Sequence, residues 1–147
     1  MGTRSLIHVI NHDFGEPKHI LTIYCQYGGY PEDHGNAVAE FITSRDFITS
    51  RDFINGIGDD EAKVFNGAGC FAAALVTFLK SERNGTPSDK IEAGGVYIHP
   101  LDSSPEEYNY TITIAGPEVS MRIEDWAGGL IFEGSPDEFL NNIPQEA

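Results

Sequence analysis

Between Gly95 and Glu133 the chain carries four β-type runs in close succession, and this stretch limits the folds open to it most. The clearest run is Tyr108-Asn-Tyr-Thr-Ile-Thr-Ile114, in which Tyr108, Tyr110, Ile112 and Ile114 alternate with Asn109, Thr111 and Thr113. A period of two is the signature of a strand with one buried and one wet face. Gly95-Val-Tyr-Ile-His99, Val119-Ser-Met-Arg-Ile-Glu124 and Leu130-Ile-Phe-Glu133 are the other three. Most of the links are short, which favours antiparallel pairing, and Ala127-Gly128-Gly129 suits a hairpin turn.

The first half supplies two more strands and two helices. Ser5-Leu-Ile-His-Val-Ile10 and His19-Ile-Leu-Thr-Ile-Tyr-Cys-Gln-Tyr27 read as a hairpin around a turn containing Gly15 and Pro17. Gly28-Gly29-Tyr30-Pro31 breaks the second strand. Pro31, Glu32 and Asp33 then suit a helix first turn, and Val38, Phe41 and Ile42 share one side of that helix. Asn66-Gly67-Ala68-Gly69 leads into an apolar run over 70–80, expected as a buried helix ending near Lys80. Ser135-Pro136-Asp137-Glu138 opens a short last helix with a capping box. The expectation is one α+β domain over 1–147, a mostly antiparallel β-sheet of about five to six strands with two or three helices packed on one face.

One segment is irregular. Phe41-Ile-Thr-Ser-Arg-Asp46 repeats letter for letter as Phe47-Ile-Thr-Ser-Arg-Asp52, and Phe53-Ile54 begins a third copy. A period of six keeps the Phe residues on one side of a strand, but on a helix it drifts by about 120° per copy. Residues 41–54 therefore read as a tandem hexamer insertion within the domain, lengthening a helix or loop.

Charge narrows the function classes. The net charge is −14, and residues 59–147 hold sixteen acids against five bases. Such a field repels nucleic acid and anionic membranes, and it attracts a basic protein surface. The longest apolar run is too short for a membrane span, and no secretory signal is visible. Cys25 and Cys70 are too few for a disulfide framework and read as cytosolic thiols. The five histidines lack metal-site spacing, and neither a phosphate loop nor a dinucleotide fingerprint is present. No metal and no cofactor are expected.

Two segments hold candidate site residues. The strand-to-helix loop contributes Tyr24, Gln26, Tyr27, Gly29, Tyr30 and His34, with glycines that let backbone approach a ligand and tyrosines that offer flat surfaces. The competing and favoured reading is a structural turn whose tyrosines pack on the core. The second is Asn66-Gly-Ala-Gly-Cys70, where a helix N-terminus would lower a thiol pKa. Cys70 with His34 or His99 as base makes a weak cysteine-hydrolase set, with Gln26 as an oxyanion donor. The competing reading is an inert buried cysteine, since Phe71 and three Ala follow. Asp59, Asp60 and Glu61 lack calcium-loop spacing and, with Asn66, join the partner-binding candidates.

Six segments read together: Met1-Gly-Thr-Arg-Ser-Leu6, Tyr24-x-Gln-Tyr-x-Gly-Tyr-Pro-x-x-His-Gly35, Ala39-Glu-Phe41, Asn66-Gly-x-Gly-Cys70, Gly94-Gly95-x-Tyr97 and Glu107-Tyr108-x-Tyr110. In these the chain resembles a family of short, largely uncharacterised bacteriophage and bacterial proteins. Gly28 stands where the family pattern usually has Asp. The resemblance implies a phage or mobile-element setting in a host bacterial cytoplasm. With the charge, it leads to the expectation of a non-enzymatic protein that inhibits a host target with a basic surface. A nucleic-acid-binding defence effector, as met by anti-CRISPR proteins, is the favoured example. A small-ligand or nucleotide-signal sponge and the cysteine hydrolase are the alternatives, and the oligomeric state stays open.

Overall fold

The computed structural model describes residues 4–12, 16–26, 30–44, 46–48, 64–81, 96–116 and 118–142. Its elements run β1 (Ser5–Asn11), β2 (Lys18–Cys25), a π-helical turn (Pro31–Gly35), α1 (Asn36–Thr43), β3 (Asp46–Ile48), β4 (Val64–Asn66) and α2 (Gly67–Ser81). They continue through β5 (Val96–Ile98), β6 (Tyr108–Ala115), β7 (Glu118–Asp125), β8 (Leu130–Gly134) and α3 (Pro136–Asn142). Six strands form one sheet in the order β5-β2-β1-β6-β7-β8. Every neighbouring pair is antiparallel except β1 and β6, which run parallel at the centre. This is the expected α+β fold with helices packed against the sheet.

Register sorts the side chains. Ile7 sits opposite both Ile23 and Tyr110, and Tyr110 opposite Ile123. Val9 sits opposite Ile112, and Ile112 opposite Met121. All of these are buried in one cluster with Val38, Ala39 and Ile42 of α1, Phe71, Leu75 and Leu79 of α2, and Phe139 of α3. One sheet face is thus the core face, and the helices lie on it. Each fully buried Ile, Leu or Phe contributes about 1.5–3 kcal/mol. The surface pair Arg122–Glu133, at 2.9 Å, is half exposed, so solvent screens it and it adds little. Burial on this face therefore dominates the fold.

α2 buries Ala68, Phe71, Ala72, Leu75 and Leu79, a stripe at helical spacing. It begins three residues before the expected start, at Gly67, whose φ of 84 only glycine adopts easily. Cys70 lies off that stripe and is exposed, which corrects the buried reading. At the end of β8, Ser135 N donates to Glu138 Oε1 at 2.8 Å and Glu138 N donates to Ser135 Oγ at 3.0 Å, the reciprocal capping box. The hexamer brings a surprise. Phe41-Ile42 lie in α1, yet the same dipeptide at Phe47-Ile48 lies in β3, paired parallel with β4. The described part of the second copy adds a short strand instead of lengthening a helix or loop; residues 49–54 are outside the described residues.

Candidate binding face

Residues between the core-facing positions point to the opposite sheet face, where the register builds cross-strand rows. One row runs Tyr97, Tyr24, Leu6, Asn109, Glu124, Leu130. The next runs Thr22, His8, Thr111, Arg122, Glu133. No helix packs here among the described residues, so hydroxyl, imidazole, carboxylate and aromatic groups are gathered on a helix-free face.

Its first cluster is His8, His19 and Thr22. His8 Nδ1 and His19 Nε2 are 3.1 Å apart, and Thr22 Oγ1 lies 3.1 Å from the former and 2.8 Å from the latter. His19 Nε2 also lies 3.1 Å from the Leu21 carbonyl, which can only accept. We therefore assign the hydrogen to His19 Nε2 and let the Thr22 hydroxyl donate to His8 Nδ1, leaving His8 neutral. Burial, reinforced by His19 and opposed by Glu124, holds the His8 pKa below its ordinary 6.5.

The second cluster is Tyr24, Gln26 and His99. Tyr24 Oη donates to Gln26 Oε1 at 2.7 Å, and the Tyr24 ring stacks on His99 at 4.6 Å. Burial, with Glu106 adding to it and Arg4 opposing, pushes the Tyr24 phenol pKa up.

The third region is the turn after β7. Asp125 Oδ1 accepts from Ala127 N at 2.9 Å and Gly129 N at 2.8 Å, while Gly128 takes a φ of 85. This turn holds Trp126 outward at 74% exposure. Asn109 was expected on a wet face, yet it is only 8% exposed. Its side chain accepts from Glu106 N and donates to Glu106 O, both at 3.0 Å, so the buried amide pins the 102–107 loop against the sheet. The turn after β7, the 103–105 loop and His8 form a half-open cavity of about 150 Å³ lined by His8, Ser103, Asn109, Thr111, Glu124 and Trp126 among others.

Carboxylates concentrate at this end. Asp102, Glu106 and Glu107 lie on the loop before β6, and Glu124 and Asp125 lie at the end of β7. Burial pushes the Tyr108 phenol pKa up, and Glu32, Glu107 and Asp125 push it further. Arg4 and Arg122 are the described cations there; Arg122 bonds Glu133 at 2.9 Å and Glu124 at 3.2 Å.

The sheet separates several of the sequence candidates. His34 is 5% exposed and meets Tyr110 of the core face edge-on at 5.1 Å. Gly35 follows it, and a Cβ there would lie 2.9 Å from Phe139 Cζ, so His34-Gly35 has a packing role. Tyr30 rests against Tyr108. Tyr24, Gln26 and His99 belong to the opposite face. Cys70 is exposed on α2, on the helical side, with the sheet between it and His99. Cys70, His34 and His99 do not form a hydrogen-bonded set among the described residues. Only the backbone of Asn66 is described, and Tyr27, Gly29, Asp59, Asp60 and Glu61 lie outside the described residues.

Sequence reasoning missed His8, His19, Thr111 and Trp126. Alternation could place His8 and Thr111 off the core face, but only the parallel β1–β6 register puts them side by side. Among the described residues, no group of three or more His, Cys, Asp or Glu side chains is placed to hold a metal, and no helix is long and apolar enough to cross a membrane. Comparison with known proteins finds no matching family model, no matching curated protein and no matching solved structure.

Proposed function

We propose that this chain is a non-enzymatic binding protein that docks its acidic sheet end onto a basic surface of a host protein and blocks that surface. The observation that carries the reading is Trp126, held out by its turn amid Glu124, Asp125 and the acidic 102–107 loop. An exposed tryptophan is a common anchor of protein interfaces, and carboxylates around it select a positive partner. Leu101, Tyr97 and Leu130 add exposed apolar area around the same face. A nucleic-acid-handling defence effector offers such a groove, and the phage-type resemblance supports that setting. A host bacterial cytoplasm follows from the same reading.

The test is a binding titration against a purified basic nucleic-acid-binding effector, with duplex DNA as competitor. The expected result is a complex that weakens steeply with salt and is displaced by DNA. Paired Glu106→Gln and Glu107→Gln changes should weaken it by about tenfold, the scale of one to two interfacial charge contacts. Binding indifferent to salt and to these changes would end the proposal.

A further inference from the structure

Resting on that docking reading, we infer that the cavity between the end of β7 and the 103–105 loop receives a single guanidinium group, an arginine side chain of the partner. At about 150 Å³ it is well below the ~300–1,000 Å³ of sites that hold a whole drug-sized ligand. One side chain fits it and a nucleotide does not. Its lining offers acceptors: the Glu124 and Asp125 carboxylates and the Ser103 and Thr111 hydroxyls. No lysine or arginine lines it. Asn109 is committed to Glu106, and His8 is neutral, so neither opposes a cation.

Two carboxylate oxygens stand ready. Glu124 engages Arg122 through Oε2 alone, and Asp125 holds its turn through Oδ1 alone, so Glu124 Oε1 and Asp125 Oδ2 accept no bond among the described residues. A guanidinium carries five donors in a planar fork, whereas an ammonium is a compact point charge. Trp126 is among the lining residues, and guanidinium planes stack on indole faces. The combination favours arginine over lysine.

Trp126 is the chain's one tryptophan, so its fluorescence reports from the cavity wall. The full chain is titrated with N-acetylarginine amide, N-acetyllysine amide and, separately, the basic effector. Arginine amide is expected to produce a saturable change at roughly millimolar concentration, with lysine amide at least about fivefold weaker. Glu124→Gln should weaken arginine amide by about five- to tenfold. Trp126→Ala, read by NMR shifts, should weaken it by about two- to fivefold, and thermal melts check that both variants fold. A linear unsaturated response, equal responses to both amides, or an unchanged Glu124→Gln variant overturns the assignment. If the effector binds and Glu124→Gln leaves its affinity unchanged, the docking reading stands and the cavity assignment falls. If arginine amide binds but the effector does not, docking falls, and with it a partner arginine as the occupant.

Discussion

At the residue scale, His8 carries the most testable chemistry. Its imidazole sits 3.1 Å from that of His19 and 3.1 Å from the Thr22 hydroxyl. The folded pKa lies below 6.5 because of burial first and His19 second. The unfolded chain takes up this proton near 6.5, while the folded chain waits for lower pH. Just below 6.5 the unfolded state therefore binds more protons, and stability falls as pH drops through that window. Urea midpoints at pH 7.5 and 5.5 should show this loss, and His8→Gln should remove a measurable part of it. An equal loss in the variant would place the acid sensitivity elsewhere. Alternation alone puts His8 off the core face. Its bond to His19 was not legible, because a register irregularity between Val9 and Ile10 sets which β2 residue it meets.

At the element scale, local chemistry was readable where bonds close within a few residues. The Ser135–Glu138 box formed as its spacing dictates. Ser135→Ala should cost about 1 kcal/mol, seen as a lowered denaturation midpoint with the sheet intact. A midpoint unchanged within error would mean α3 is held by Phe139 packing alone. The repeated hexamer marks the limit of such reading. Phe41 belongs to a helix and stacks on Phe78 of α2 at 4.5 Å, while Phe47, opening the same hexamer, belongs to β3. The hexamer itself does not choose between them: Ala37-Val-Ala-Glu40 precedes the helical copy and Thr43-Ser-Arg-Asp46 the strand copy, so the flanking residues and the fold decide. Asn109 makes the same point on a smaller scale. Its alternation places it off the core face, but a covering loop decides its exposure.

At the scale of the whole molecule, charge works against compactness. A net −14 repels itself, and the described carboxylates at the β6–β7 end outnumber Arg4 and Arg122. Screening should relieve this, so raising NaCl from about 20 to about 300 mM should lift the thermal midpoint of the free protein by a few degrees. The proposed complex should respond with the opposite sign, since the same screening weakens attraction to a basic partner. A melt insensitive to salt would indicate that the acids are spread too widely to interact. The asymmetry in charge along the chain was visible from counting residues. Its gathering at one end of the sheet was not, because Glu32, the 102–107 loop and the end of β7 meet only through folding.

What the sequence alone determined is whatever rests on short separations: the strand alternation, the helix stripes, the glycine turn at 127–129, the capping box and the sign of the surface charge. Each depends on residues a few positions apart, whose geometry the backbone periods impose. Tertiary structure decided the parallel contact of β1 with β6, the meeting of His8 with Thr111 and the burial of Asn109. Those depend on pairings across a hundred residues, where many arrangements satisfy the local rules and the helices' burial against one sheet face selects among them.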